Sequence, residues 1–383
     1  MHVLLVANTA ASMVWFRLPL LRDLVARGHH VWVAAPRGDG VREIVATGAS
    51  FLPLFETQGW APDAAKDARR SYINPMVDLD TARAIRRACR VVRPDVVLTY
   101  THKMTVIGAA SARAAGVPKV HGMITGLGFA HLGGSARREL RRRVYYATLQ
   151  AAGALCDSLI VLNQDNLDDA RRLRLAPDDR LYLMDGEGVD TELFEASAPA
   201  PAKGAATFLM VGRLVWHKGV GTFVEAARQV HKRFPHARFV VAGDSDPKHP
   251  DAIPAEKLES WRQEGIVDLV GFVKDIRGLY ARSDVFVLPS GATEGLPVSI
   301  LEGMAMRRPI LTTRAPGNRE TVEEGVNGLL FDEGDVSALA AHMERLLSDP
   351  ATITAMGEAS RARCQSRFDY RIVNAGLMAH LGL

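Results

Sequence analysis

Two α/β domains in tandem, each a Rossmann-like, doubly wound parallel sheet, are the fold class predicted for this 383-residue chain. Three observations carry the prediction. Short apolar, β-branched runs alternate with helical periods almost from end to end, as expected of strands buried on both faces between crossover helices. The alternation breaks once, over the Pro- and Ala-rich stretch ASAPAPAKGAA at 196–206, and then restarts. The length exceeds one ordinary domain and suits two.

The first half opens on HVLLVA at 2–7, a buried strand. Val14, Leu18, Leu21, Leu24 and Val25 then recur at helical spacing, and Gly28 stops the helix. Strands follow at 29–36 and near 51–55, then a helix over 77–92 and a strand over 94–100. Next come a helix over 104–115, a strand over 119–124, a helix over 136–153 and a strand over 158–163. After the break, TFLMVGR at 207–213 is a strand and 219–234 a helix; 238–243, 254–263 and 267–272 continue as strand, helix, strand. Strands at 284–290 and 309–313 bracket a helix from about 297, and a strand at 328–331 precedes helices at 335–348 and 351–366. The expected domains are therefore 1–195 and 207–366, joined by a linker at 196–206. Two such domains are expected to face each other across a cleft lined by loops at the carboxyl ends of their strands.

Composition narrows the class. Hydrophobic residues make up 48% and charged residues 23%, ordinary globular values that exclude bulk disorder. No apolar run approaches the ~18–20 residues that span a bilayer. MHVLLVANTA has no basic n-region, so no signal peptide is expected. Three widely spaced cysteines, Cys89, Cys156 and Cys364, exclude a disulfide framework and suit a reducing cytoplasm. The net charge of +4 is too mild to argue for nucleic acid. Its clustering is more telling: Arg137, Arg138, Arg141, Arg142 and Arg143 fall within seven residues, beside Tyr145 and Tyr146.

Several cofactor signatures are missing. NTAASMVWF follows the first strand where a dinucleotide site needs G-x-G-x-x-G, and neither a P-loop lysine nor H-E-x-x-H occurs. Asp78/Asp80 and Asp244/Asp246 read as a helix start and a turn, so no metal site is expected.

The second half carries the chemistry. VGRLVWHKGV at 211–220 puts Arg213 and Lys218, with Gly212, on the loop between a buried strand and a helix. Gly243 and Gly271 follow the next two strands, with Val270 and Phe272 flanking the latter. ATEGLPVSILE then places Glu294 just before a helix and Glu302 about two turns inside it, while Gly295 permits close backbone approach and Pro297 suits a helical first turn. Free N–H groups of Leu296, Val298 and Ser299 would stand beside two cations. A diphosphate needs that positive charge, and sugar hydroxyls need the carboxylates, so the set fits a nucleoside diphosphate sugar.

These motifs, in this order, closely resemble the family-4 retaining glycosyltransferases of GT-B fold. The likeness is strongest over VGRLVWHKGV and over ATEGLPVSILEGMAMRRPIL at 292–311, where seven residues separate two glutamates, and it extends to NGLLF at 327–331. FRLPLLRDLVARGHHVWVAAP at 16–36, ITGLGF at 124–129, VLNQDN at 161–166 and GEGVDTELF at 186–194 are similar to the branch that extends lipid-linked oligosaccharides or capsular and O-antigen glycans. Where many members carry a Gly-Gly loop after the first strand, this chain has NTAASMVWF; where many carry a histidine, it offers Thr125 and Gly126 on the acceptor side, with His121 nearby.

The resemblance implies a nucleotide sugar, UDP-linked, bound by the C-terminal domain, and a glycan or polyprenyl-diphosphate-linked acceptor bound by the N-terminal one. It implies that Arg213 and Lys218 grip the diphosphate, that Glu294 lies near the transferred hexose or N-acetylhexosamine, and that Glu302 contacts ribose. Val270 and Phe272 stand where the family grips the base, and can equally be core. Gly188 and Asp190 are expected to shape the inter-domain loop; His102, Lys103 and His131 are weaker acceptor-side candidates. A helix after Ser366, over 367–383, is expected to cross back onto the first domain. Configuration would be retained, with the leaving phosphate accepting the acceptor's proton, no cofactor and no metal. Two alternatives stay open: a nucleotide-sugar epimerase of similar build, and a non-enzymatic glycan-binding protein. The arginine helix is expected to touch anionic membrane, which would make the protein cytoplasmic and peripheral.

Overall fold

The computed structural model describes residues 1–54, 75–127, 136–247, 249, 251–291 and 295–383, and of residues 75, 136–138 and 141 the backbone only. The chain forms two compact units, Met1–Glu187 with Asn374–Leu383, and Gly188–Val373.

In the first unit the strands are β1 (His2–Val6), β2 (His30–Ala35), β3 (Ser50–Pro53), β4 (Val96–Tyr100), β5 (Lys119–Ile124), β6 (Ser158–Val161) and β7 (Leu181–Leu183). They pair in the order β3-β2-β1-β4-β5-β6-β7, every pair parallel. The helices between them are α1 (Ala10–Ala26), α2 (Val41–Ala46), α3 (Pro75–Val92), α4 (His102–Ala114), α5 (Ala136–Leu155) and α6 (Gln164–Arg172). Val3, Leu4, Leu5 and Val6 are all buried, which is why this strand reads as a continuous apolar run rather than an alternating one. Thr9 caps α1 by accepting from the Ser12 N–H, and Asn163 caps α6 through Asn166.

The second unit repeats the plan with β8 (Thr207–Val211), β9 (Arg238–Ala242), β10 (Val267–Gly271), β11 (Val285–Leu288), β12 (Ile310–Thr313) and β13 (Gly328–Phe331), ordered β10-β9-β8-β11-β12-β13 and parallel throughout. Its helices are α7 (Val220–His231), α8 (Ala255–Glu264), α9 (Arg277–Ala281), α10 (Val298–Ala305), α11 (Val336–Ser348) and α12 (Pro350–Arg363). One core runs from Phe208 and Phe239 through Phe286 to Leu346. The side on which successive strands are added switches between β1 and β4 in the first unit, and between β8 and β11 in the second. In folds of this type ligands bind at the carboxyl ends of the strands flanking that switch.

Three expectations need correction. The units divide at Glu187/Gly188 rather than at 195. Residues 196–206 are not a free linker: Arg307 Nη1 donates to the Ala196 carbonyl at 2.5 Å, Arg308 Nη2 to Ser197 at 3.3 Å and Thr354 Oγ1 to Pro199 at 2.7 Å. A Pro-rich stretch has no strand ladder for its carbonyls, and side chains of the second unit take them instead. Finally, the returning helix α13 (Tyr370–Leu381) joins the first unit only from Asn374, whose side chain donates to Asp23 Oδ2 at 2.8 Å.

Candidate active site

The carboxyl ends of β8, β9 and β10 are stitched by backbone. The Gly212 N–H donates to Ala242 O at 3.0 Å and the Gly243 N–H to Gly271 O at 2.9 Å. A side chain at Gly243 would place its Cβ 1.7 Å from the Gly212 carbonyl oxygen, so only glycine fits. Gly271 has a left-handed φ of 74°. Val270 and Phe272, on either side of it, are 44% and 71% exposed, so neither is core.

Beyond Gly212 the chain forms a loop and a 3-10 turn over Trp216–Lys218 before α7. Arg213 on this loop is exposed and Lys218 half-buried. Gly219 closes the loop at φ 77°, and a Cβ there would lie 2.1 Å from the Pro289 carbonyl oxygen, so the β8 loop lies directly against the end of β11. The opposite bank is equally fixed. Thr313 Oγ1 donates to Ser290 O at 2.6 Å, and Asn318 Nδ2 lies 3.1 Å from the same oxygen and 2.9 Å from Thr313 Oγ1. The Gly291 N–H donates to the His217 carbonyl at 3.0 Å. Glu294 lies outside the described residues. Gly295, Leu296 and Pro297 are buried, and Pro297 is the N-cap of α10 rather than part of its first turn. Pro297 offers no capping side chain, and the N–H groups of Val298 and Ser299 in the first turn have no partner within the helix. The structure thus brings Arg213, Lys218 and the start of α10 to the two banks of one switch point.

Glu302 lies inside α10, partly covered, and burial pushes its carboxyl up to about 7 against the opposing pull of the Tyr280 hydroxyl. That hydroxyl is 2.8 Å from Ser299 O and 3.0 Å from Glu302 Oε2. It holds one proton and can serve one acceptor, so a protonated Glu302 completes the trio by donating back to it. Tyr280 has no sequence signal linking it to Glu302; the contact is tertiary.

In the first unit, Thr125 and Gly126 are half-buried just beyond β5, and Leu127 is buried. His131 lies outside the described residues. His121 faces inward, its Nδ1 2.8 Å from Ser158 Oγ, and burial pulls it down to about 4. His102 stacks on Tyr145 at 4.0 Å, and Lys103 pairs with Asp78 at 2.6 Å. Gly188 packs its backbone on Tyr370, and Asp190 accepts from the Glu192 and Leu193 N–H groups at 3.1 and 3.0 Å, which shapes this loop inside the second unit. Sequence reasoning missed Glu187: it is buried in an ion pair with Arg17 and accepts from the Tyr100 hydroxyl at 2.7 Å. Among the described residues, no cluster of three or more His, Cys, Asp or Glu is placed to hold a metal ion.

Two family profiles match the chain, "Glycosyltransferase Family 4" over residues 18–192 and "Glycosyl transferases group 1" over 205–349. Between them they take in most of its length. The chain belongs to the family-4 glycosyltransferases. Membership of a transferase family sets aside the epimerase and non-enzymatic readings. This glycosyltransferase is 25% identical over 91% of its length, and 90% of the relative's, to the N,N'-diacetylbacillosaminyl-diphospho-undecaprenol alpha-1,3-N-acetylgalactosaminyltransferase of Campylobacter jejuni. It is 27% identical, over 77% of its own chain and 79% of the other, to an Escherichia coli UDP-Gal:alpha-D-GlcNAc-diphosphoundecaprenol alpha-1,3-galactosyltransferase. Among solved structures, the sucrose-phosphate synthase of Thermosynechococcus elongatus superposes with a TM-score of 0.79 at 20% identity, covering 98% of this chain and 97% of that one. Anabaena HepE in complex with UDP superposes with a TM-score of 0.78 at 18% identity, covering 100% of both. The fold is GT-B, with two Rossmann-like domains in one chain.

Proposed function

We propose that this glycosyltransferase moves a hexose or N-acetylhexosamine from a UDP-sugar to a polyprenyl-diphosphate-linked glycan, with retention of configuration and without a metal. The observation that carries the donor side is that the loop bearing Arg213 and Lys218 lies against the end of β11, the strand whose following loop leads to the start of α10. Two cations and a helix N-terminus neutralise the charge that grows on a departing diphosphate, which is the task a metal would otherwise serve. Gly212, Gly243, Gly295, Leu296 and Pro297 bring backbone close to the donor, Glu302 takes the ribose hydroxyls, and exposed Val270 and Phe272 cover the base. Glu294 orients the transferred sugar and stabilises its oxocarbenium-like transition state. Thr125 and Gly126 lie on the acceptor side.

The acceptor class rests on the relatives, two of which are named for undecaprenol-diphosphate sugars and for α-linked products. An α-product from an α-configured nucleotide sugar is retention. Helix α5 supports a membrane-borne acceptor. Its inward face carries Tyr145, Leu149 and Ala152, while Leu140, Val144, Ala147 and Ala151 point outward, with Leu140 64% and Val144 40% exposed. Tyr145 is therefore core, not the headgroup contact its sequence position suggests. Arg142 and Arg143 are exposed on this helix and share Glu139, and the side chains of Arg137, Arg138 and Arg141 lie outside the described residues. An outward apolar stripe among arginines suits an anionic bilayer surface. No helix among the described residues is long and apolar enough to cross a membrane.

The test is transfer from a panel of UDP-sugars to an undecaprenyl-diphosphate-linked sugar, with and without EDTA. Lipid-linked product of retained configuration, undiminished by EDTA, is expected. Loss of activity on chelation would remove the metal-free mechanism, and transfer to water-soluble acceptors alone would remove the lipid-linked class.

A further inference from the structure

The segment 251–253 lies across the Arg213–Lys218 loop like a clasp. Val215 and Ala252 form an antiparallel bridge, and the Ile253 N–H reaches the Leu214 carbonyl at 3.4 Å. Asp251 does most of the holding. Its backbone carbonyl accepts from the Trp216 N–H at 3.0 Å, and its Oδ2 accepts from the His217 N–H at 2.8 Å. The same oxygen is 2.6 Å from His217 Nδ1. His217 in turn gives its carbonyl to the Gly291 N–H at 3.0 Å, on the far bank of the switch point. One carboxylate therefore holds a residue that touches both banks. His249 completes the corner: its ring centroid is 5.8 Å from that of His217, and its Nδ1 accepts from the Asp251 N–H at 3.1 Å. Burial first, and then the charges of Arg213 and His217, pull His249 below the usual histidine range.

The pair is poorly built for stability. The side chains of His217 and Asp251 are 27% and 40% exposed, and exposed pairs contribute little to folding. The same bonds are well placed to set geometry, where a displacement of ~1 Å can cost about a hundredfold in rate.

We propose that Asp251 is a positioning residue of the donor site: by fixing His217 it sets the loop that carries Arg213 and Lys218 and registers that loop against Gly291, beyond the end of β11. The inference rests on the donor-site reading above and adds a residue that no part of the motif contains.

Hydrogen exchange tests the bracing without any ligand. Asp251→Ala should speed exchange at the Gly291 amide, forty residues away in sequence. Unchanged exchange there overturns the proposal. The functional arm compares wild type, Asp251→Ala, Asp251→Asn and Lys218→Ala for UDP affinity and for turnover of a UDP-sugar. Asp251→Ala should lose about ten- to a hundredfold in kcat/KM with its thermal midpoint nearly kept, because misplacement rather than unfolding is the fault. Asp251→Asn, which keeps an acceptor for both His217 N–H groups, should recover most of that. In a Lys218→Ala background the Asp251→Ala loss should shrink, since the cation it positions is gone. An equal loss in both backgrounds, or a loss that merely tracks the thermal midpoint, also overturns the positioning role. A wild type that binds no UDP sinks the donor reading alone, and the exchange result still decides the bracing.

Discussion

Glu302 shows how much chemistry one placement can hold. Its carboxyl is raised to about 7 because burial in α10 disfavours the charge, and Tyr280 cannot satisfy both Ser299 and a carboxylate at once. In the free protein the folded state therefore keeps a proton that the unfolded chain gives up between about 4.5 and about 7, so this residue makes stability fall as pH rises through that window. Ribose hydroxyls donate, and so favour the ionised form. Binding of UDP-glucose below about pH 7 should then release a proton, with affinity rising toward that pH and levelling above it. Calorimetry in two buffers of different ionisation enthalpy measures the release; equal release by Glu302→Gln would remove ribose contact from this residue. UDP-glucose is the suitable probe because its diphosphate has no group titrating there. Arg213 and Lys218 act on a different quantity. If they grip the diphosphate as proposed, more charge resides on it in the transition state than in the ground state, so Arg213→Ala and Lys218→Ala should each cost ~2–4 kcal/mol of barrier and less in UDP affinity. Single-turnover rates check this, and unchanged rates in both variants would take the cations out of the site.

At the scale of elements, the rim of the second sheet depends on glycine backbone. Gly243→Ala drives a Cβ to 1.7 Å from the Gly212 carbonyl, an atom that cannot swing aside, and so separates β8 from β9 where the donor loop begins. UDP affinity should fall at least tenfold along with the thermal midpoint. Gly265→Ala is the control: at φ 72° it has open space around it, so only backbone strain of ~1–2 kcal/mol is expected and UDP binding should survive. Tight UDP binding by Gly243→Ala would dissociate the rim from the donor. The strands that build this rim were readable in the sequence because burial on both faces leaves unbroken apolar runs such as Phe208–Met210. Shorter elements were not. Helix α2 buries only Ile44 and offers less than two turns of periodicity, and the three residues of β7 are only half-buried at a sheet edge. Of the site, Arg213, Lys218 and the start of α10 could be found because strand, loop and helix follow one another in sequence. Tyr280, Asn318 and Asp251 could not, since each reaches its partner through tertiary contact from another loop or helix.

At the scale of the whole molecule, the first unit turns large apolar side chains outward on α5, the helix whose sequence sets five arginines within residues 137–143. Core packing accounts for Tyr145 and Leu149, whereas Leu140 and Val144 are exposed. A solvated helix would be expected to put polar residues there. If the outward face of α5 docks on anionic lipid, two forces of different character act together. Arginines near the surface contribute ~1 kcal/mol each and are screened by salt, whereas apolar burial in the interface is not. The wild type should co-sediment with vesicles containing acidic lipid and be released by high salt. Changing Arg137, Arg138, Arg141 and Arg142 to Glu should abolish sedimentation. Leu140→Ser with Val144→Ser should weaken binding while leaving the slope of its salt dependence unchanged, because no charge has moved. Both sets should slow transfer to a long-chain lipid acceptor and leave UDP-sugar hydrolysis intact, the donor residues being in the other unit. Circular dichroism can confirm that α5 persists in both variants. Equal sedimentation of the arginine variant and the wild type would make this helix an ordinary solvated face, and the acceptor would then have to reach the first unit by another route.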